Sequence, residues 1–465
     1  MFGGCQVDMG GMNTGEAGST LGEAEARELA SRAGAVFQPR APIITAESFA
    51  GRWEQLATVS DSVAQRGLHV VVFGERGVGK TSLANVIGQL LRAMEEGVVG
   101  NNGGPHLFVK VHTHIGDSFA NIWRRAFDEV YWHRDKPTTR FSYEIVRELM
   151  TMREALNISE TPSIDEVRRT LAILKRSVFV FDEFDRGSLA VKKAFTDLIK
   201  ALSDYAVDAT VVLVGVSHSI DDLVRDHTLI ARSIVQVHLP RMAECELRNI
   251  LDKSSAALDV EFSAEAASLI VNLSQGLPHY THLMGLHATR EAAKRRSRRI
   301  EPCDVHASFC GVVKHTIQNL QEKYSWSVRS ARRDALYRHI ILACASAAST
   351  AEHTVGYFHP AEVLRPIRMM LKRPNVGTAT FQRHLNEFCE EARGSVLERS
   401  GSPRAYRYRF RDALLVPLVF IQAVSEGLID ASELAALTAR QWRPPLPSRE
   451  AEMRSSELVD EDAAP

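Results

Sequence analysis

Between Gly67 and Ser217, short apolar runs alternate with longer stretches of helical period. The runs are His69–Phe73, Leu107–Val111, Ser177–Phe181 and Thr210–Val216, and a fifth, Ile234–Leu239, closes at Pro240. Strands that are apolar throughout, rather than at every second position, are buried on both faces. Alternation with helices then predicts an α/β fold around a parallel sheet. A helix is expected over Ser82–Met94, directly after the first run. From Arg241 to about Glu322 only helical period remains. Ser263 is placed to cap one helix and Gly276 to stop it; a second follows Pro278 and a third begins near Asp304. From Ala331 the pattern changes again. Three helical stretches (Asp334–Ala347, Pro360–Leu371, Thr380–Ala392) precede Ser395–Arg399 and Ala405–Arg411, which alternate at period two across the turn Ser400-Gly-Ser-Pro. That order of three helices and a hairpin predicts an α+β winged helix.

A chain of 465 residues exceeds one ordinary core. The pattern divides it into an α/β domain over 37–240, a helical lid over 241–328 and the winged helix over 331–430. Residues 1–36, rich in Gly, Ala and Glu, and 431–465, with an acidic end, are expected to be disordered, apart from a short helix near Glu23–Arg32. A formal net charge of −1 gives no whole-molecule field toward nucleic acid or membrane. The longest apolar stretch, Ala413–Ile421, is interrupted by Pro417 and spans about half a bilayer, so no membrane partner is expected. The first thirty residues lack a basic start and an apolar run, and the six cysteines form no CxxC pair. A reducing cytoplasmic setting with free thiols follows as an expectation.

The chemistry is concentrated after the first strand. Gly74-Glu75-Arg76-Gly77-Val78-Gly79-Lys80-Thr81-Ser82 joins a strand to a helix with the spacing of a phosphate-binding loop. Its glycines let successive N–H groups and the helix N-terminus face negative charge. Lys80 is expected on the β- and γ-phosphates of ATP, and the Thr81 hydroxyl on Mg²⁺. At the tip of the third run, Asp182 is placed to hold the Mg²⁺ through water, and Glu183 to orient and deprotonate the attacking water. Both stand at the sheet edge where open α/β sheets bind ligands, so hydrolysis rather than binding alone is expected.

A phosphate loop, Phe-Asp-Glu-Phe-Asp, a strand ending Val-Gly-Val-Ser and a helical lid together resemble the AAA+ ATPases over about residues 40–325. The appended winged helix resembles the origin-recognition and helicase-loader initiator clade, and the Gly276-Leu-Pro-His turn is similar to transposition and secretion ATPases of the same broad group. The resemblance implies that Ser217 is the first sensor, touching the γ-phosphate or the water. It implies that Gly51 and Arg52 belong to the segment packing on adenine. Arg232, or else Arg225, falls near the arginine finger that reaches a neighbouring subunit's nucleotide, implying an oligomer. His279 stands where the lid's sensor arginine is usual.

Positive charge is concentrated in the C-terminal module: fourteen Lys/Arg against eight Asp/Glu between Arg332 and Asp412. Arg404, Arg407 and Arg409 on the hairpin and Arg383 on the third helix are candidate contacts to double-stranded DNA. Glu387, Glu390 and Glu391 oppose that reading, and docking onto a protein is the alternative. The run Lys294-Arg-Arg-Ser-Arg-Arg reads as a solvated helix end. Two functions therefore stand: an ATPase tethered to DNA, or a signalling or defence-type switch whose winged helix latches onto a protein surface. A transposition-type adaptor is a third.

Overall fold

The computed structural model describes residues 21–96, 106–137, 145–174, 176–217, 220–224, 227–332, 335–350, 356–402 and 405–438. Two compact units divide the chain. Residues up to Gln321 join Asp412–Ser425 in the first; Glu322–Arg411 and the residues from Glu426 onward make the second.

The first unit is built on five parallel strands: β1 (His69–Gly74), β2 (Leu107–His112), β3 (Ser177–Asp182), β4 (Ala209–Val216) and β5 (Ile234–His238). Their order is β2-β3-β4-β1-β5. Every residue of β1 and β3 is buried, as strands covered on both faces must be. One face carries an aromatic cluster in which Trp123 lies 5.0 Å from Phe181 and 5.2 Å from Phe179, ring centre to ring centre. Phe195 completes it, 4.9 Å from Phe181. Since β3 is in register with β2 and β4, its tip, Asp182, is held at the same sheet edge as the loop after β1.

His69 opens β1 fully buried, its Nδ1 accepting the Val211 N–H at 3.0 Å. Burial lowers its pKa from 6.5 to about 3. The unfolded chain therefore binds a proton that the folded chain refuses, and stability falls as pH drops from about 6.5 toward 3. At pH 5 this amounts to about 2 kcal/mol for this one residue. Denaturant titrations at pH 7.5 and 5 are expected to show that difference shrink by about 2 kcal/mol in His69→Gln.

Four helices form the lid: Glu244–Leu258, Ala264–Ser274, Pro278–Lys294 and Pro302–His315. Ser263 caps the second by accepting the Ala266 N–H, and that helix stops where Gln275 and Gly276 both take positive φ. Residues 23–36, expected to be disordered beyond a short helix, form one continuous helix, Glu23–Val36. Leu29 and Ala33 supply its buried side, and Arg290 of the lid bonds the Ala30 carbonyl. Of the tail expected to be disordered from 431, Ala431–Thr438 forms a helix; residues 1–20 and 439–465 lie outside the described residues. An antiparallel pair of strands, Tyr131–Pro137 with Ile145–Thr151, also interrupts the expected alternation.

The second unit contains helices Tyr337–Thr350, Leu364–Leu371 and Ala379–Glu387, then the antiparallel strands Leu397–Ser400 and Arg407–Phe410. The C-terminal module was expected to run unbroken to 430. Instead residues 412–425 return to the first unit, where helix Leu415–Ser425 buries nearly its whole circumference. The run Ala413–Ile421 is thus a core helix, and among the described residues no helix is long and apolar enough to cross a membrane.

Candidate functional site: a phosphate-loop cavity

The loop from Glu75 to Gly79 rises from β1 and enters the helix Lys80–Glu96. Gly74 has no room for a side chain, since a Cβ there would stand 2.4 Å from the Leu239 carbonyl oxygen. Gly77 and Gly79 take φ of +86° and +97°, the left-handed region that favours glycine. Around this loop lies a cavity of about 600 Å³, the size range of a nucleotide site.

Its lining changes character from end to end. Pro39, Ile43, Phe49, Met242 and Ile250 make an apolar end suited to a flat base. Arg76, Gly77, Val78, Gly79, Lys80, Thr81 and Ser82 form the middle, and Asp182, Glu183 and Asp185 the acidic far edge. The apolar end is pinned to the loop helix, because the Ile43 N–H donates to Ser82 Oγ at 3.1 Å and Asn85 Nδ2 to the Ile43 carbonyl at 3.1 Å.

Lys80 is buried, with Nζ donating to the carbonyls of Gly74 (2.9 Å) and Glu75 (2.6 Å). Burial lowers its pKa to about 8, against the pull of Asp185, Asp182 and Glu75. Asp182 is buried; its Oδ1 accepts the Glu183 N–H at 2.9 Å and its Oδ2 lies 3.0 Å from Lys110 Nζ. Glu183 has φ of +55°, unusual for a residue with a side chain, and its Oε2 lies 3.0 Å from Arg186. The turn that strains it is fixed by Phe184 beneath and by Asp185, whose Oδ1 accepts the Val216 N–H at 2.8 Å. Thr81 and Asp182 both line the cavity and offer it a hydroxyl and a carboxylate, the hard oxygen donors that Mg²⁺ prefers.

The other sequence candidates are less uniform. Arg52 lines the cavity with φ of +62°; its guanidinium donates to the Pro240 carbonyl, and burial lowers its pKa. Gly51 is set back from the cavity, where a Cβ would strike Glu246. Glu75 turns away toward Arg241, at 2.6 Å. Ser217, expected to touch the γ-phosphate or the water, is buried outside the lining and donates to Asp222 at 2.8 Å. His279 does line the cavity; its Nδ1 is 2.6 Å from the Pro39 carbonyl, and burial lowers its pKa. Arg232 is exposed and paired with Asp204 at 2.9 Å, while Arg225 lies outside the described residues.

Three contributors escaped the sequence reading. Lys110 carries no motif, and neither does the segment Gln38–Ile43 that closes the base end. The third comes from the far end of the chain. Asp412 Oδ2 lies 3.1 Å from Arg76, and Leu414 packs where a Cβ on Gly77 would go. Tyr280 Oη donates to the Leu414 carbonyl at 2.8 Å and fixes the segment in place.

In the second unit the candidate DNA contacts are largely engaged within the unit. Arg383 pairs with Glu387 on its own helix at 2.6 Å. Arg409 pairs with Glu398 and lies over the Tyr357 ring at 4.5 Å. Gln382 donates to Tyr408 Oη, which donates to Asn386. Arg407 is exposed; Arg404 lies outside the described residues.

Several solved structures are similar in fold. The ORC1 protein of Aeropyrum pernix, solved in complex with DNA, is 14% identical with a TM-score of 0.42, over 84% of this chain and 94% of that one. The ORC2 protein of the same organism, solved as ADPNP-ADP complexes, is 12% identical with a TM-score of 0.45, over 86% and 97%. The RuvB branch migration motor of Thermotoga maritima is 14% identical with a TM-score of 0.41, over 79% and 95%. No curated protein matches the chain. The strand order, with the phosphate loop after β1 and the helices that follow the sheet, is that of an α/β fold around a parallel sheet. The family model of Novel STAND NTPase 1 matches residues 42–368, more than half of the chain, and the protein belongs to that family.

Proposed function

We propose that this NTPase is a Mg²⁺- and ATP-dependent conformational switch whose nucleotide state is read by its own C-terminal segment. The observation that carries this reading is the contact of Asp412 and Leu414 with Arg76 and Gly77 of the phosphate loop. An anionic side chain there sits beside the arginine that an incoming phosphate would also attract. The segment continues into the second unit at Arg411 and at Glu426, so a shift at the loop has a covalent route outward. ATP would bind with its base among Ile43, Phe49 and Ile250, its phosphates on the loop and Lys80, and Mg²⁺ at Thr81 and Asp182. The bound Mg²⁺ would draw charge from the phosphates; Glu183 would take the proton of the attacking water. Arg232 is exposed as a residue acting on a neighbouring subunit must be, which fits slow turnover raised by assembly.

Removing the contact is the test. Asp412→Asn combined with Leu414→Ala, which frees Arg76 for the phosphates, is expected to release bound nucleotide about fivefold more slowly, about 1 kcal/mol for a half-exposed ion pair with its packing. Stopped-flow release of a fluorescent ADP measures this, and an unchanged rate would remove the segment from the mechanism.

A second reading retains the DNA tether. The element order of the second unit supports a winged helix, and Arg329, Arg332, Arg383 and Arg393 line one recess with the half-exposed Trp326. ATP turnover that rises with duplex DNA and loses that rise at high salt would favour the tether. Turnover indifferent to DNA favours the switch, with the second unit docking protein.

A further inference from the structure

The metal-ligand carboxylate carries a partner that the phosphate-loop motif does not predict. Lys110 lies on β2, the edge strand beside β3, and its side chain is mostly buried. Its Nζ stands 3.0 Å from Asp182 Oδ2 and donates to Asn85 Oδ1 at 2.7 Å. Asn85 in turn holds the Ile43 carbonyl, so the ammonium is anchored from the loop helix and cannot swing freely. His112 is also near this carboxylate, with Nδ1 at 3.9 Å from Asp182 Oδ2, and Lys80 lines the same cavity and feels its charge.

The charges explain why a cation should be built in here. Asp182, Glu183 and Asp185 together face the end of the cavity where a triphosphate would place its greatest negative charge. A bound Mg²⁺ would cover that repulsion. Without one, Asp182 would be a buried carboxylate next to phosphate, and a buried charge needs a partner.

We propose that Lys110 is the resident counter-ion of Asp182, standing in for the metal and letting the site retain a nucleotide when no divalent ion is bound. The inference rests on the assignment of Asp182 to the metal and goes beyond it by making metal dependence a property of Lys110. In the metal-free site, Lys110 neutralises Asp182 and keeps the cavity open to an anion. In the loaded site a metal would do so, and Lys110 keeps its bond to Asn85 Oδ1. The residue therefore positions and neutralises a ligand and does not touch the reacting atoms.

The test compares the affinity of a fluorescent ADP for the full chain in Mg²⁺ and in EDTA. Lys110→Gln keeps hydrogen bonding to Asn85 and removes the charge. It is expected to weaken binding in EDTA about tenfold or more, because one uncompensated charge at short range in a partly buried site is worth at least that factor. Binding in Mg²⁺ should stay within about threefold, since the metal supplies the missing charge. Lys110→Arg should restore metal-free binding. In an Asp182→Asn background, Lys110→Gln should cost little, because the carboxylate it answers is gone. Equal weakening in both conditions would mean a structural role and overturn the proposal, as would no weakening in either. Loss of Mg²⁺ sensitivity on Asp182→Asn is the separate check on the metal assignment. If Lys110→Gln does not fold, Asn85→Ala, which frees the ammonium, is expected to give a smaller change confined to EDTA; an equal change in Mg²⁺ would again overturn the proposal.

Discussion

Glu183→Gln is expected to bind ATP with the affinity of the wild type and to turn it over about 10²–10⁴-fold more slowly, the usual contribution of a positioned general base. The expectation comes from placement. β3 delivers Asp182 and Glu183 to the sheet edge, and the left-handed backbone at Glu183 turns its side chain out along the cavity while Asp182 stays buried. Such strain persists where the surroundings over-determine it, and here Phe184 and Asp185 hold the turn on both sides. Glutamine fits the same space and still accepts a hydrogen bond from Arg186, so binding and fold should be unaffected. What it lacks is a basic oxygen for the proton of water. Single-turnover measurements on pre-bound ATP separate this from a binding defect, and wild-type turnover in the variant would displace Glu183 from its assigned role.

Lys80→Met is expected to weaken ATP binding by about a hundredfold, the loss of one charge-assisted hydrogen bond worth about 3 kcal/mol. Nζ is held by the Gly74 and Glu75 carbonyls. Its pKa, lowered to about 8 by burial, adds a pH signature. Above pH 8 the free protein holds a neutral amine and must take up a proton to meet an anion. Affinity should therefore fall as pH rises from about 8, approaching tenfold per unit. The variant should lack that pH dependence, which isothermal titration at pH 7, 8 and 9 would reveal.

Much of this site was legible in the order of residues along the chain. The five strands stand within a residue of where their apolar runs put them, because a strand buried on both faces leaves a signal that does not depend on its neighbours. The phosphate loop was legible because its glycines, lysine and threonine act locally. Ser217 was placed by analogy with a motif position, but its hydroxyl is taken by Asp222, a contact no spacing foretells. Lys110 was invisible for a similar reason: within Leu-Phe-Val-Lys-Val-His it reads as a polar interruption of a strand, and only the pairing of β2 with β3 brings it to Asp182. The helix Glu23–Val36 was read as mostly disordered because so few large apolar residues anchor it. The run Ala413–Ile421 announces a buried helix but not which core it joins. That choice, made by Tyr280 and the lid, brings Asp412 and Leu414, just before the helix Leu415–Ser425, to the phosphate loop.

The central claim is that the C-terminal segment reads the nucleotide. Its most direct measurement is amide hydrogen exchange over residues 412–425 in the nucleotide-free, ADP-bound and non-hydrolysable ATP-analogue-bound protein. The account predicts that exchange in this segment differs between the ADP and ATP-analogue states, and that the difference disappears in Lys80→Met. Identical protection of 412–425 in both nucleotide states, with the phosphate loop itself protected by both, would contradict it.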